Sequence, residues 1–291
     1  MFSPASVFFP APDGLKLHVL DAGPRDGDRL PVICLPGLAR TVEDFRELIR
    51  ALAFSENPRR VLALDARGRG LSARDPNPEN YSIPVELGDM LALLDAFAIK
   101  RAVFVGTSRG GILTMAMGAA RPEAVADAVL NDIGPVIEMA GLLRIKNYVG
   151  RMPKPADFAE AAALLRNTMD SQFPAFGPAD WERYARRTWQ EDEQGALELR
   201  YDPALSHTLA TVNPEEPLPA LWPQFDALAH APILVIRGEH SDLLSPATVA
   251  EMRARRPNVF VLEIAGQGHA PVLTDERTIG PITDFMERCE R

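Results

Sequence analysis

The sequence predicts an α/β protein: a mostly parallel central sheet flanked by helices, with a helical insertion in its second half. Three observations carry that reading. Short apolar, β-branched runs recur along the chain, several of them wholly apolar, as strands covered on both faces require. Helical patterns lie between them, and strand–helix alternation is what a parallel sheet produces. Between residues 135 and 228 the strand signal stops, while helical patterns and prolines continue.

In chain order, strands are expected at 15–20, 31–35, 61–64, 102–105, 126–130, 233–236 and 259–264. Thr41 opens a helix with Glu43 and Asp44 in its first turn, a hydroxyl cap and acidic residues where the helix dipole favours them. Val85, Met90, Leu93, Leu94 and Phe97 share one side of a second helix. Residues 109–120 are small and apolar, suited to a buried third. In the insertion, helices are expected near 136–150, 156–170 and 179–190, set among prolines that run from Pro153 through Pro217 to Pro223. Its aromatics, Phe158, Phe173, Phe176, Trp181, Tyr184, Trp189, Tyr201 and Trp222, form a small core of their own or line a pocket, and the first reading is preferred.

At 291 residues the chain exceeds a typical single domain, which one core plus an insertion explains. A net charge of −9 repels nucleic acid, and the Arg183, Arg186 and Arg187 group reads as a solvated helix face. The first residues, from Met1 to Ser6, lack a basic segment followed by an apolar one, so no secretory signal is expected. No run approaches the roughly 18 apolar residues of a membrane span. Cys34 and Cys289 suit a reducing, cytoplasmic setting, with Cys34 buried in a strand. The scattered histidines give no metal-ligand spacing. The expectation is a protein without metal, cofactor, nucleic-acid or membrane partner, acting on a small molecule; its oligomeric state is not legible.

Chemistry enters at Val103-Phe104-Val105-Gly106-Thr107-Ser108-Arg109-Gly110-Gly111. A strand runs into Gly-x-Ser-x-Gly and a helix follows, the context in which a serine hydroxyl is pushed out above a sheet edge. A serine needs a base, and the elbow contains none. His269 stands in Ala265-Gly266-Gln267-Gly268-His269-Ala270-Pro271, a loop after a strand, from which a side chain reaches the sheet's C-terminal edge. The base needs a carboxylate to fix its tautomer. Asp242, in the loop after 233–236, is the preferred acid. Glu239 lies close to the strand end, and Asp132, after 126–130, is a second rival. The order Ser108, Asp242, His269 follows the serine–acid–histidine order of one particular fold.

These residues, together with Asp65-Ala66-Arg67-Gly68-Arg69-Gly70-Leu71-Ser72, make the chain resemble the α/β-hydrolase fold family. The resemblance is to its capped, serine-dependent members: esterases, enol-lactonases and carbon–carbon bond hydrolases. It implies a core domain of residues 1–134 and 229–291 and a helical cap of 135–228. It also implies an oxyanion hole of two backbone N–H groups, from Arg109 and from Leu38. Many members carry His-Gly where this chain has Pro36-Gly37, which bears on the orientation of that loop. Arg40 is a possible contact for a substrate carboxylate or the start of a helix; Arg109 is expected to turn away and pair with a surface acid.

Serine rather than a carboxylate at the elbow disfavours dehalogenase and epoxide-hydrolase chemistry, both of which need an alkyl-ester intermediate. The expected reaction is hydrolysis of a small carboxylic ester or lactone through an acyl-enzyme. Cleavage of a carbon–carbon bond in a vinylogous diketone is the alternative enzyme reading. A ligand-binding receptor on the same scaffold is the alternative outside catalysis.

Overall fold

A computed structural model describes residues 4–216 and 218–290. Met1–Ser3 from the leader reading, Pro217 and Arg291 lie outside the described residues. The chain opens with an antiparallel hairpin, β1 (Ala5–Pro10) and β2 (Lys16–Ala22), followed by β3 (Val32–Leu35). Then come α1 (Arg46–Ala53), β4 (Val61–Asp65), α2 (Ile83–Ala96), β5 (Ala102–Thr107), α3 (Arg109–Ala120) and β6 (Val125–Asn131). The stretch after β6 carries α4 (Met139–Tyr148), α5 (Phe158–Met169), α6 (Pro178–Thr188), β7 (Trp189–Glu191), β8 (Leu197–Leu199) and α7 (Trp222–Asp226). The chain closes with β9 (Ile233–Gly238), α8 (Pro246–Arg255), β10 (Val259–Ile264) and α9 (Glu276–Cys289).

Eight strands form one sheet in the order β1-β2-β4-β3-β5-β6-β9-β10. From β4 to β10 every pairing is parallel; only β1 and β2 run against their neighbours. Alternate residues of each strand feed two separate cores, the period-two consequence of the pleat. Ile33, Leu62, Phe104, Leu130 and Val235 face α2, α3 and α8. Val32, Val61, Val103, Val129 and Ile236 face α1 and α9.

Two features depart from the sequence reading. β1 was not anticipated, and the stretch between β6 and β9 holds a short antiparallel hairpin, β7 with β8. That stretch adds no strand to the main sheet. It has a small core of its own around Leu165, Phe173, Trp181 and Trp189, so most of its aromatics are structural. Tyr201 and Trp222 instead pack against the main core.

Candidate active site

The strand ends place the chemistry. β5 and β6 are in register to Thr107 and Asn131, and β6 and β9 to Asn131 and Ile236. One residue further on, the Ser108 N–H donates to the Asn131 carbonyl (2.9 Å) and the Asp132 N–H to that of Ile236 (2.7 Å). Ser108 and Asp132 therefore leave adjacent strands at one level of the sheet's C-terminal edge.

Both then turn sharply. Ser108 has φ 51° and Asp132 φ 56°, left-handed values that are costly for residues with a Cβ and that gather at functional sites. The serine turn is possible because α3 starts against the strand end. A Cβ on Gly106 would overlap the Gly110 carbonyl, and one on Gly110 would overlap that of Leu35. The two glycines let the helix approach closely enough to lift Ser108 Oγ clear of the sheet.

His269 arrives from the loop after β10. Its Nε2 lies 2.8 Å from Ser108 Oγ and its Nδ1 2.8 Å from Asp132 Oδ2. The serine O–H donates to Nε2 when Nδ1 carries the proton toward the carboxylate. Asp132 is fully buried, and its oxygens are held by the Gly238 N–H (2.8 Å) and the Ser241 hydroxyl (2.5 Å). A carboxylate fixed this way can orient an imidazole and oppose the charge it gains.

The acid beside the imidazole is thus Asp132, which corrects the preference for Asp242. Asp242 points into the neighbouring stretch and receives two bonds from Arg144, at 2.7 and 2.8 Å. The two aspartates follow adjacent strands, and the bend at Asp132 aims one inward. Glu239 also turns away, accepting from the Gly266 N–H.

The Leu38 and Arg109 N–H groups have no hydrogen-bond acceptor among the described residues. The loop carrying Leu38 is held without a histidine at 36: the Arg69 guanidinium donates to the Leu38 carbonyl at 2.8 Å. The Arg109 side chain turns away as expected, but onto a buried acid rather than a surface one, Glu86 at 2.7 Å. Arg40 lines the cavity with its guanidinium already engaged by Asp44 and Thr188 and laid over the Tyr184 ring. Burial disfavours that charge; the Asp44 carboxylate more than offsets this, and the net shift is upward.

A cavity of about 80 Å³ opens on Ser108 and His269. The 37–40 loop and residues 270–273 form its floor, and residues from α4, α5 and α6 form its roof. The sequence reading missed Gln172, from the loop after α5. Its Oε1 accepts the His269 backbone N–H at 2.9 Å and lies 3.4 Å from Arg144 Nη2. No local pattern marks it, since its partner is distant in sequence. Among the described residues no cluster of His, Cys, Asp and Glu is arranged to hold a metal, and no helix is long and apolar enough to cross a membrane.

A sheet of this order with a serine elbow and a histidine beyond the last strand defines a hydrolase architecture. The model of the alpha/beta hydrolase fold family matches residues 31–276, and the chain belongs to that family. It is 33% identical to a 3-hydroxybutyrate-oligomer hydrolase of Cupriavidus necator, over 88% of this chain and 87% of that one. It is 35% identical to Esterase YbfF of Escherichia coli K12, over 82% and 85% of the two chains. A crystal structure of an alpha/beta hydrolase from Novosphingobium aromaticivorans superposes with a TM-score of 0.90 at 38% identity, covering 99% of both chains. The protein is a hydrolase.

Proposed function

We propose that the protein hydrolyses a small carboxylic ester or lactone through an acyl-enzyme on Ser108. The observation that carries this is the unbroken line from Ser108 Oγ through His269 to Asp132, opening on a cavity of about 80 Å³. The similarity to an esterase and to a hydrolase of hydroxyacid oligomers points the same way.

His269 Nε2 takes the serine proton as Oγ attacks the ester carbonyl. The oxyanion forms beside the free N–H groups of Leu38 and Arg109, which are in place before charge develops. His269 then gives the proton to the departing alcohol oxygen as the carbon–oxygen bond breaks. Water, deprotonated by the same nitrogen, attacks the acyl-serine, and Oγ recovers its proton as the acid leaves. Asp132 stays ionised and compensates the imidazolium in both halves. Residues 135–228 act as the cap that roofs the acyl site. Two unpaired thiols, Cys34 and Cys289, are compatible with a cytoplasmic setting.

The test is steady-state hydrolysis of p-nitrophenyl esters from acetate to octanoate, with fluorophosphonate labelling. Short esters should turn over steadily, and Ser108→Ala should abolish both turnover and label. A nitrophenol burst without turnover would favour a receptor. Cleavage of a dienone acid in place of the esters would move the reading to carbon–carbon hydrolysis.

A further inference from the structure

The cavity roof is mostly apolar, through Ile145, Val149, Leu165 and Met169, and three phenols interrupt it, Tyr148, Tyr184 and Tyr201. Tyr148 ends α4 and Tyr184 lies in α6, so different helices bring them to one space. The chain has four tyrosines, which supplies an internal comparison. Tyr81 donates to Asp202 at 2.6 Å, and the Tyr201 oxygen accepts the Gly150 N–H at 3.3 Å. The hydroxyls of Tyr148 and Tyr184 have no partner among the described residues, yet neither is sealed by packed atoms. Two hydroxyls without a protein partner at an apolar wall are free to donate to a bound molecule.

The charges nearby narrow what that acceptor is. Arg40 and Arg187 line the cavity, and Arg144 acts on the Tyr148 phenol; each is matched by a carboxylate, Asp44, Glu47 and Asp242 respectively. Among the described residues these guanidiniums leave no uncompensated positive charge at the cavity to draw an anion. Burial raises the Tyr148 phenol well above its ordinary value, so it stays neutral and keeps its proton to donate.

We propose that Tyr148 and Tyr184 hydrogen-bond a second, uncharged oxygen function of the substrate, a hydroxyl or carbonyl carried in addition to the ester that is cleaved. The substrate class is then an oxygenated short ester rather than a plain alkanoate. The inference rests on the ester reading above. A site built around such donors discriminates against analogues lacking the acceptor, because the donors then stay unpaired in the complex.

Three esters test it: ethyl butyrate, ethyl 3-hydroxybutyrate and 2-hydroxyethyl butyrate, with acid release followed at constant pH. They place the extra hydroxyl nowhere, on the acyl side and on the alcohol side. The wild-type protein should favour at least one hydroxylated ester by about tenfold or more in kcat/KM. In Tyr148→Phe, Tyr184→Phe or the double variant that ratio should fall toward one. Each single variant keeps the test usable if the double variant does not fold. Equal kcat/KM for all three esters would overturn the inference, as would a preference retained in full by both single variants and the double. Serine-dependent hydrolysis without discrimination sinks this inference alone. No hydrolysis of any ester, or hydrolysis surviving in Ser108→Ala, sinks the ester reading with it.

Discussion

Asp132 and Asp242 carry the same carboxylate a short distance apart, and their surroundings give them different work. Asp132 is closed in by His269, Ser241 and the Gly238 amide, whereas Asp242 is partly exposed and paired with Arg144. Asp132→Asn should keep the fold and lower kcat by on the order of 10⁴, because an amide cannot fix the tautomer or balance the imidazolium. Asp242→Asn should act on the melting temperature, by weakening the Arg144 pair, with a far smaller effect on kcat. Paired kinetics and thermal melts decide it; a larger kinetic loss in Asp242→Asn would reverse the assignment. The reason the sequence favoured Asp242, rather than the aspartate that contacts His269, is visible here. Ser108 and His269 each sit in a local pattern that declares its turn, whereas both aspartates simply follow strands. Choosing between them requires the left-handed bend at Asp132 and the contacts from Gly238 and Ser241, all fixed by distant chain.

At the scale of elements, the histidine loop is held from above as well as from the sheet. Gln172 is buried and accepts the His269 N–H from the loop that follows α5. Gln172→Leu keeps the bulk but leaves that N–H unpaired, so the imidazole loses one of its fixed points. The expected result is a kcat lower by about tenfold, the worth of one buried hydrogen bond, with KM little changed. Gln172→Glu restores an acceptor oxygen near Arg144 and should recover most of the rate. A Leu variant with normal kcat, or a Glu variant no better than Leu, would show that the tie does not position the base. Elements differed in legibility for equally physical reasons. The apolar parallel strands declared themselves because both faces are covered. β1 hid because it is an edge strand, largely exposed, ending at Pro10, and β7 and β8 because three-residue strands show no periodicity.

Across the whole molecule, the stretch after β6 is fastened to the core by polar joints around the strand ends. Arg187 reaches Glu47, Arg40 reaches Thr188, and the Gly70 N–H donates to the Arg200 carbonyl. Beneath them Glu86, buried, accepts from both Arg69 and Arg109, whose positive charges hold its carboxyl below its ordinary range against the opposing effect of burial. Glu86→Ala leaves two guanidiniums without their acid and should cost about 3–5 kcal/mol in urea unfolding. An unchanged unfolding midpoint would mean that water replaces the carboxylate without penalty.

The joint through Tyr81 makes a prediction of its own about pH. Tyr81 takes the Asp75 N–H and gives its proton to Asp202, joining the loop after β4 to the far side of the roof. Burial first, and then the accepting Asp202 carboxylate, push this phenol from its ordinary 10.0 up to about 12. A group whose proton is held more tightly in the folded state stabilises that state fully below its unfolded value and loses the benefit as pH rises. The contribution of Tyr81 is therefore complete below about pH 10 and declines between about 10 and 12. Tyr81→Phe lacks the donated bond at every pH. The gap in unfolding free energy between wild type and variant should be widest near neutrality and should narrow across that alkaline window. Comparing the two proteins cancels the titration of the lysines and the other tyrosines. A gap of constant size up to pH 12 would mean that the phenol keeps no special hold on its proton, and that Asp202 is joined to the core by its backbone alone.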